Sequence, residues 1–131
     1  MSNTSIPRPT NSELEILRVL WSRGPATVRD VHETISSGKP GATGYTTILK
    51  LMQIMTEKGL LERDEAERAH IYKTKVTREK TQRAIVGHML DRVFAGSASD
   101  LMLQALASKP TSPGEIRELR ELLARYEKEN K

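Results

Sequence analysis

The sequence predicts a mainly α-helical protein in which three helices and a β-hairpin are followed by three more helices. Apolar residues recur at helical spacing over most of the 131 residues, which is the pattern of amphipathic helices. The helical spacing of apolar residues is lost between residues 60 and 74, where two short segments have strand character. Aromatic residues make up 4% of the chain and cysteine is absent, so we expect an aliphatic core without disulfides.

The overall composition is that of a globular protein. Hydrophobic residues make up 37% of the chain and charged residues 29%. No apolar run approaches the roughly 20 residues needed to span a bilayer, and residues 1–9 contain no apolar stretch that would predict a secretory signal. We therefore expect a cytoplasmic location and no membrane insertion. The net charge of +4 permits an anionic partner without requiring one.

Cap signals mark where the first two helices begin. After a loose tail over residues 1–9, the run Thr10-Asn11-Ser12-Glu13 has the form of a capping box, in which the Thr and Glu side chains bond each other's backbone. Gly24-Pro25 is expected to end this helix, because Pro cannot continue the hydrogen-bond ladder. Thr27 is expected to cap the second helix, and a turn over residues 36–41 follows it.

A third helix and a hairpin complete the N-terminal pattern. The helix is predicted from about Gly44 to Lys58. Residues 60–64 and 69–74 are predicted as two strands joined by a polar link, and Ala26-Thr27 could add a third strand. Three helices followed by a hairpin are the order of a winged helix-turn-helix, so we predict such a domain over residues 10–76. The buried stripe of the third helix is predicted to be Ile48, Leu51, Met52 and Met55.

The opposite face of the third helix has the chemistry that the DNA major groove requires. Residues 34–56 and 68–78 contain no carboxylate that would repel phosphate. Thr and Gln side chains can bond base edges, and Lys can bond guanine or phosphate. A plain surface helix explains the same pattern when it is taken alone, but a hairpin with Arg68, His70, Tyr72 and Lys73 favours DNA. The exposed face is predicted to carry Thr46, Thr47, Leu49, Lys50, Gln53 and Ile54, with Tyr45 in the first turn, where free N–H groups favour phosphate.

Residues 77–131 are predicted to form a three-helix dimerisation domain. Domains this small rarely have a sufficient core of their own, and without cysteine a second copy is the expected source of stability. Two-fold pairing would place two recognition helices about 34–36 Å apart, one turn of DNA. Packing on the winged-helix domain is the alternative. The predicted interface residues are Ile85, Met89, Val93, Phe94, Leu101, Leu106, Leu119 and Leu122.

Four segments of the chain resemble the penicillinase-repressor family, also called the BlaI/MecI type. They are NSELEILRVLW at 11–21, ATVRDVH at 26–32, YTTILKLMQIMTEKGLL at 45–61 and RAHIY at 68–72. The resemblance implies a homodimeric repressor that binds a DNA dyad overlapping a promoter. Leu49 and Ile54 stand where some members have Arg, so the operator sequence is open. Carried over by position, the implied DNA contacts are Tyr45, Thr46, Thr47, Lys50, Gln53, Arg68 and Tyr72.

The resemblance also bears on how repression ends. Well-known members of the family are cleaved in the short helix of the dimerisation region, through a membrane sensor-protease. The corresponding bond here falls near Gln104-Ala105 and lacks the Asn-Phe pair found there, so cleavage and a sensor-protease partner are left open. Copper-responsive relatives carry cysteines near the C-terminus, and their absence here argues against copper sensing.

The sequence predicts no catalytic centre, no metal site and no cofactor. His32, His70 and His88 lie in three separate elements without the spacing that zinc ligands need, and no GxSxG, P-loop or GxGxxG motif occurs. Two alternatives to a repressor remain. One is a winged-helix regulator that responds directly to a small molecule held between its two domains, and the other is a winged-helix protein-interaction module.

Overall fold

The computed structural model describes residues 8–37, 43–66 and 68–130. Most of the predicted N-terminal tail, most of the predicted turn over residues 36–41 and Glu67 of the hairpin link lie outside these residues. The predicted mainly α class is confirmed, because the described residues form six helices and one two-stranded sheet. In chain order the elements are α1 (Asn11–Arg23), α2 (Val28–Ser36), α3 (Tyr45–Lys58), β1 (Leu61–Asp64), β2 (Ile71–Thr74), α4 (Arg78–Arg92), α5 (Ala98–Ser108) and α6 (Pro113–Glu129).

Side-chain caps begin α1 and α2 at the predicted residues. Glu13 N donates to Thr10 Oγ1 at 3.2 Å, and Thr10 N donates to Glu13 Oε1 at 2.9 Å. The same reciprocal pair joins Thr27 and Asp30, at 3.1 and 3.2 Å. The backbone N–H of Thr27 lowers the pKa of Asp30, since a donated hydrogen bond stabilises the ionised carboxylate. Both predicted caps are confirmed.

The sheet is the predicted hairpin with a short third member. β1 and β2 are antiparallel, with Leu61 opposite Thr74 and Arg63 opposite Tyr72. Ala26 N donates to Tyr72 O at 3.0 Å and Tyr72 N donates to Ala26 O at 2.8 Å, so the extended piece before α2 pairs with β2 as a single bridge. The second strand begins at Ile71, two residues later than predicted, and this leaves residues 68–70 in the turn.

The hydrophobic core is aliphatic and lies between α1, α2, α3 and the hairpin. The inner face of α3 contributes Ile48, Met52 and Met55, which are at most 2% exposed. Leu51, which was predicted to be buried, and Leu49, which was predicted on the exposed face, both lie at the edge of the core and are partly buried. The other buried apolar residues are Ile16, Leu17, Leu20, Ala26, Val28, Val31, Ile35, Leu60, Leu61 and Tyr72.

The backbone divides into two compact units, and the division falls inside α4. The first unit ends at Gly87 and the second begins at His88. The predicted domain boundary at residues 76 and 77 stays a prediction. α4 ends at Arg92, before Phe94, because the chain turns where Ala95 and Gly96 have φ of +49° and +83°. None of the described residues from 88 to 130 is buried. No helix in the described ranges has both the length and the hydrophobicity to cross a membrane.

Candidate nucleic-acid interface

The outer face of α3 is exposed and free of carboxylates over its first three turns. We use the term outer face for the residues of α3 that point away from the core. Tyr45 is 45% exposed and Ile54 is 36% exposed. The first acidic residue along the helix is Glu57, at its C-terminal end. The predicted exposed residues on this face other than Leu49 are all exposed: Tyr45, Thr46, Thr47, Lys50, Gln53 and Ile54.

The beginning of α3 is a favourable place for an anion. Gly44 is the N-cap and supplies no side-chain hydrogen bond, and the first turn has no acidic residue. The first backbone N–H groups of the helix therefore have no side-chain cap to accept from them, and the helix dipole adds partial positive charge. This end of the helix can accept a backbone phosphate, as the sequence indicated.

Two contacts that the sequence did not indicate position α3. The ring of His32 on α2 meets the ring of Tyr45 edge-on, with centroids 5.8 Å apart and an interplanar angle of 78°. At the other end, Lys58 Nζ lies 2.8 Å from Glu13 Oε1 of α1, and the Glu13 side chain is only 4% exposed. These contacts join residues far apart in sequence, so no local pattern predicts them. Together they tie both ends of α3 to the helices behind it.

The hairpin presents basic side chains in its turn and on the exposed face of β2. Arg68 and His70 are exposed in the turn between the strands. Lys73 is exposed on β2, and its Nζ lies 3.4 Å from Glu62 Oε1. Arg63 Nε donates to Glu65 Oε2 at 2.8 Å. The Tyr72 hydroxyl and the Glu65 carboxylate raise the pKa of Arg63 above its usual value, so Arg63 is held within the hairpin.

Tyr72 is the one predicted DNA contact that the structure places in the core. It is 2% exposed and among the largest fully buried side chains of the described residues. Its backbone bridges to Ala26, and its hydroxyl raises the pKa of Arg63. A side chain this buried has no surface to offer to a duplex, so we assign Tyr72 to supporting the hairpin and remove it from the contact set. The other six predicted contacts lie on the surface.

The predicted dimer residues are exposed or partly exposed in the single chain. None of the eight is buried. Val93 is 69% exposed, Leu106 41%, Leu122 39% and Met89 38%. Leu103, Leu123 and Tyr126 add further exposed apolar area in the same unit. The predicted cleavage residues Gln104 and Ala105 are also exposed, within α5.

Two solved structures have the same fold and define the class of this protein. The solution structure of the DNA-binding domain of the repressor BlaI superposes with a TM-score of 0.50 at 21% identity, covering 61% of this chain and 93% of that one. The complex structure of hsRosR-S4 superposes with a TM-score of 0.53 at 13% identity, covering 98% of this chain and 97% of that one. The chain therefore has the winged-helix fold of these two structures.

Sequence comparison identifies the family. The family model described as penicillinase repressor matches residues 9–125. The transcriptional regulator BlaI of Mycobacterium tuberculosis is 32% identical over 78% of this chain and 85% of its own length. The penicillinase repressor of Bacillus licheniformis is 23% identical over 96% of this chain and 97% of its own. The methicillin resistance regulatory protein MecI of Staphylococcus aureus is 23% identical over 87% of this chain and 91% of its own length. The chain belongs to the penicillinase-repressor family, which indicates a transcription regulator rather than an enzyme.

Proposed function

We propose that this repressor acts as a homodimer that binds a dyad operator in duplex DNA and occludes the promoter. The observation that supports this most directly is the outer face of α3, which is exposed, carries Lys50 and three short hydrogen-bonding side chains, and has no carboxylate before Glu57. A repressor of this kind works by mass action, because the bound dimer excludes polymerase. Its working place is the cytoplasm, where promoter DNA is accessible.

The geometry of the first unit suits α3 to the major groove. Thr46, Thr47 and Gln53 can bond base edges, and Lys50 can bond guanine or phosphate. Tyr45 and the N-terminal N–H groups of α3 are at the end where phosphate is favoured. Arg68 and His70, in the hairpin turn, are available to the flanking backbone.

The second unit supplies the reason for a dimer. It has no buried residue among those described, although it contains most of the exposed large apolar side chains of the chain. Apolar patches of this kind are characteristic of protein–protein interfaces. A two-fold pairing through α4, α5 and α6 would cover them and set the distance between the two copies of α3.

The DNA interface is tested with the operator itself. DNA fragments that the full chain binds are selected from genomic DNA, and the affinity for the selected sequence is measured by fluorescence anisotropy. Lys50→Ala is expected to weaken binding by about 1–3 kcal/mol, roughly tenfold to a hundredfold. Lys109→Ala, an exposed lysine outside the proposed interface, is the control. Equal affinity of the Lys50 variant and the wild type would remove Lys50 from the interface.

Salt dependence separates this function from a protein-interaction module. If a dimer makes about 6–10 phosphate contacts, its affinity should fall by about 10³–10⁵ between 50 and 200 mM salt. A winged-helix module that never contacts DNA would show no retention on heparin and no salt-sensitive DNA binding. Sedimentation of the full chain at micromolar concentration tests the dimer, and a single protomer at that concentration would contradict it.

Relief of repression by cleavage is a further part of the proposal. Gln104 and Ala105 are exposed, which favours recognition, but they lie inside α5, so this helix must open before a protease can bind an extended chain. Mass spectrometry of the chain recovered from cells under derepressing conditions tests this. A fragment ending near Gln104 would support a sensor-protease partner, and an intact chain would exclude cleavage as the cause of derepression.

A further inference from the structure

The first unit contains a groove that the DNA interface does not use. Its volume is about 680 Å³, and its walls come from one face of α1, the end of α2 and the first two turns of α4. No residue of α3 or of the hairpin lines it. A volume in the range of about 300–1,000 Å³ is typical of sites that hold small organic molecules.

The walls of the groove combine an apolar lining with two cationic side chains. Arg18 on α1 and Arg78 on α4 are both exposed. Neither forms an ion pair with any residue the structure describes. Glu15, the one carboxylate in the lining, already has an interaction partner. The apolar part of the lining is Leu14, Val19, Trp21, Ile35 and Ile85.

The geometry points to a binding site for a small amphipathic carboxylate, such as an arylacetate. The ring would lie on the apolar lining, and the carboxylate would accept hydrogen bonds from the two arginines. Charge-assisted hydrogen bonds from a guanidinium to a carboxylate are among the strong ones in proteins, and Arg is suited to holding a planar carboxylate. A neutral molecule of the same shape would leave both guanidinium groups without an anionic partner.

A molecule in this groove would bridge α1 and α4. Trp21 connects α1 to the start of α4. It lines the groove, and its Nε1–H donates to Val76 O at 3.0 Å, two residues before α4 begins. Thr81 on α4 also lines the groove. It is 1% exposed, and its hydroxyl donates to Thr77 O. A ligand held by Arg18 and Arg78 would therefore stabilise the packing of the start of α4 on α1.

The single tryptophan makes the site directly measurable. Trp21 is the only tryptophan in the chain, so indole fluorescence reports on this one side chain, which lines the groove and also a second pocket that contains Lys73 and Lys75. Arg18 lines the groove and not the second pocket, so the effect of Arg18→Gln distinguishes the two. We expect phenylacetate to change this fluorescence saturably, with a Kd of about a millimolar or tighter, as suits a ligand of about ten non-hydrogen atoms. Phenylacetamide, which has the same shape without the charge, should bind at least roughly tenfold more weakly, since the charged interactions with both arginines are lost.

Two variants and one control assign the charge. Arg18→Gln and Arg78→Gln should each weaken the binding of phenylacetate roughly tenfold. Neither substitution should change the affinity for phenylacetamide. Arg83→Gln, on the same helix but outside the lining, should bind phenylacetate as the wild type does. Melting temperatures check the fold: phenylacetate should raise the melting temperature of the wild type and of Arg83→Gln, and should not raise that of a variant that carries both Arg18→Gln and Arg78→Gln.

Three results would overturn the site. They are no saturable fluorescence change with phenylacetate, equal affinities for phenylacetate and phenylacetamide, and an equal loss in Arg83→Gln. The first would also be the result if a second copy of the chain fills the groove. Operator affinity is measured separately, so a failure here leaves the DNA-binding proposal as it was.

Discussion

Removing either partner of the ion pair between α1 and α3 should lower the free energy of unfolding, and the loss should depend on which partner is removed. The pair joins Glu13 Oε1 and Lys58 Nζ at 2.8 Å, and the two side chains differ in exposure, at 4% for Glu13 and 32% for Lys58. When Lys58 is replaced, a buried carboxylate loses its counter-charge. When Glu13 is made neutral, the partly exposed ammonium group can still be hydrated.

The magnitudes follow from this difference in exposure. Lys58→Met leaves the carboxylate with the Thr10 backbone N–H as its remaining donor, at 2.9 Å, so the free energy of unfolding should fall by about 3 kcal/mol, the lower end of the cost of breaking a buried pair. Glu13→Gln keeps an acceptor for that N–H and should cost about 1 kcal/mol. We therefore expect a difference of about 2 kcal/mol between the two variants.

Urea denaturation followed by circular dichroism measures both values, at one protein concentration so that any dimerisation affects all variants alike. Lys73→Met is the matched control, because its pair with Glu62 is 3.4 Å long and more than half exposed on both sides, and such pairs contribute about 0–1 kcal/mol. If Lys58→Met costs no more than Glu13→Gln, the difference in burial does not determine the energy of the pair.

Three further predictions concern single residues. Gly87 lies inside α4, and nothing lies within 4 Å of a Cβ added there. Gly87→Ala should therefore raise the free energy of unfolding, measured in urea, by up to about 1 kcal/mol. A lower free energy of unfolding would contradict this and would indicate that a second copy packs against this position. Tyr72→Phe removes the hydroxyl that raises the pKa of Arg63 and should lower the free energy of unfolding in the same assay, while operator affinity changes less than about twofold; a large loss of affinity would return Tyr72 to the contact set. The pKa of Asp30 is lowered from its ordinary value of 3.8 chiefly by the Thr27 backbone N–H, so its stabilisation is complete above that value and is lost as the pH falls through the lowered one. The melting temperature of Asp30→Asn should accordingly depend less on pH in acid than that of the wild type, and parallel profiles would contradict this.

Local signals predicted the helices well because the interactions that start and end them span only a few residues. The capping boxes at Thr10 and Thr27 lie within one helical turn, so the sequence contains both partners side by side. The outer face of α3 was predicted in the same way, from a period of 3.6 residues. The error at Leu49 and Leu51 has the same origin, because periodicity defines a face only to within about one residue on each side.

Contacts between distant parts of the chain were not predictable in this way. The burial of Tyr72 depends on the pairing of β2 with Ala26, and these residues are far apart in sequence. Likewise Glu13 and Lys58 lie 45 residues apart. Arg18 and Arg78 line the same groove only because α4 begins beside α1. In each case the sequence shows the residue type, but the residue that it contacts is far away in the chain and comes close only in the folded protein.

In the proposed interface, the two faces of α3 divide stability and recognition between different residues. The inner face is held by Ile48, Met52 and Met55, which are at most 2% exposed, so their truncation to Ala should cost about 2–5 kcal/mol. Lys50 and Gln53 are exposed, so substitutions there should change stability by about 0.5 kcal/mol or less. Operator preference can therefore change on the outer face without loss of the fold. Leu49 is the exception, because it packs at the edge of the core, and its replacement by Arg should lower stability and alter DNA binding together.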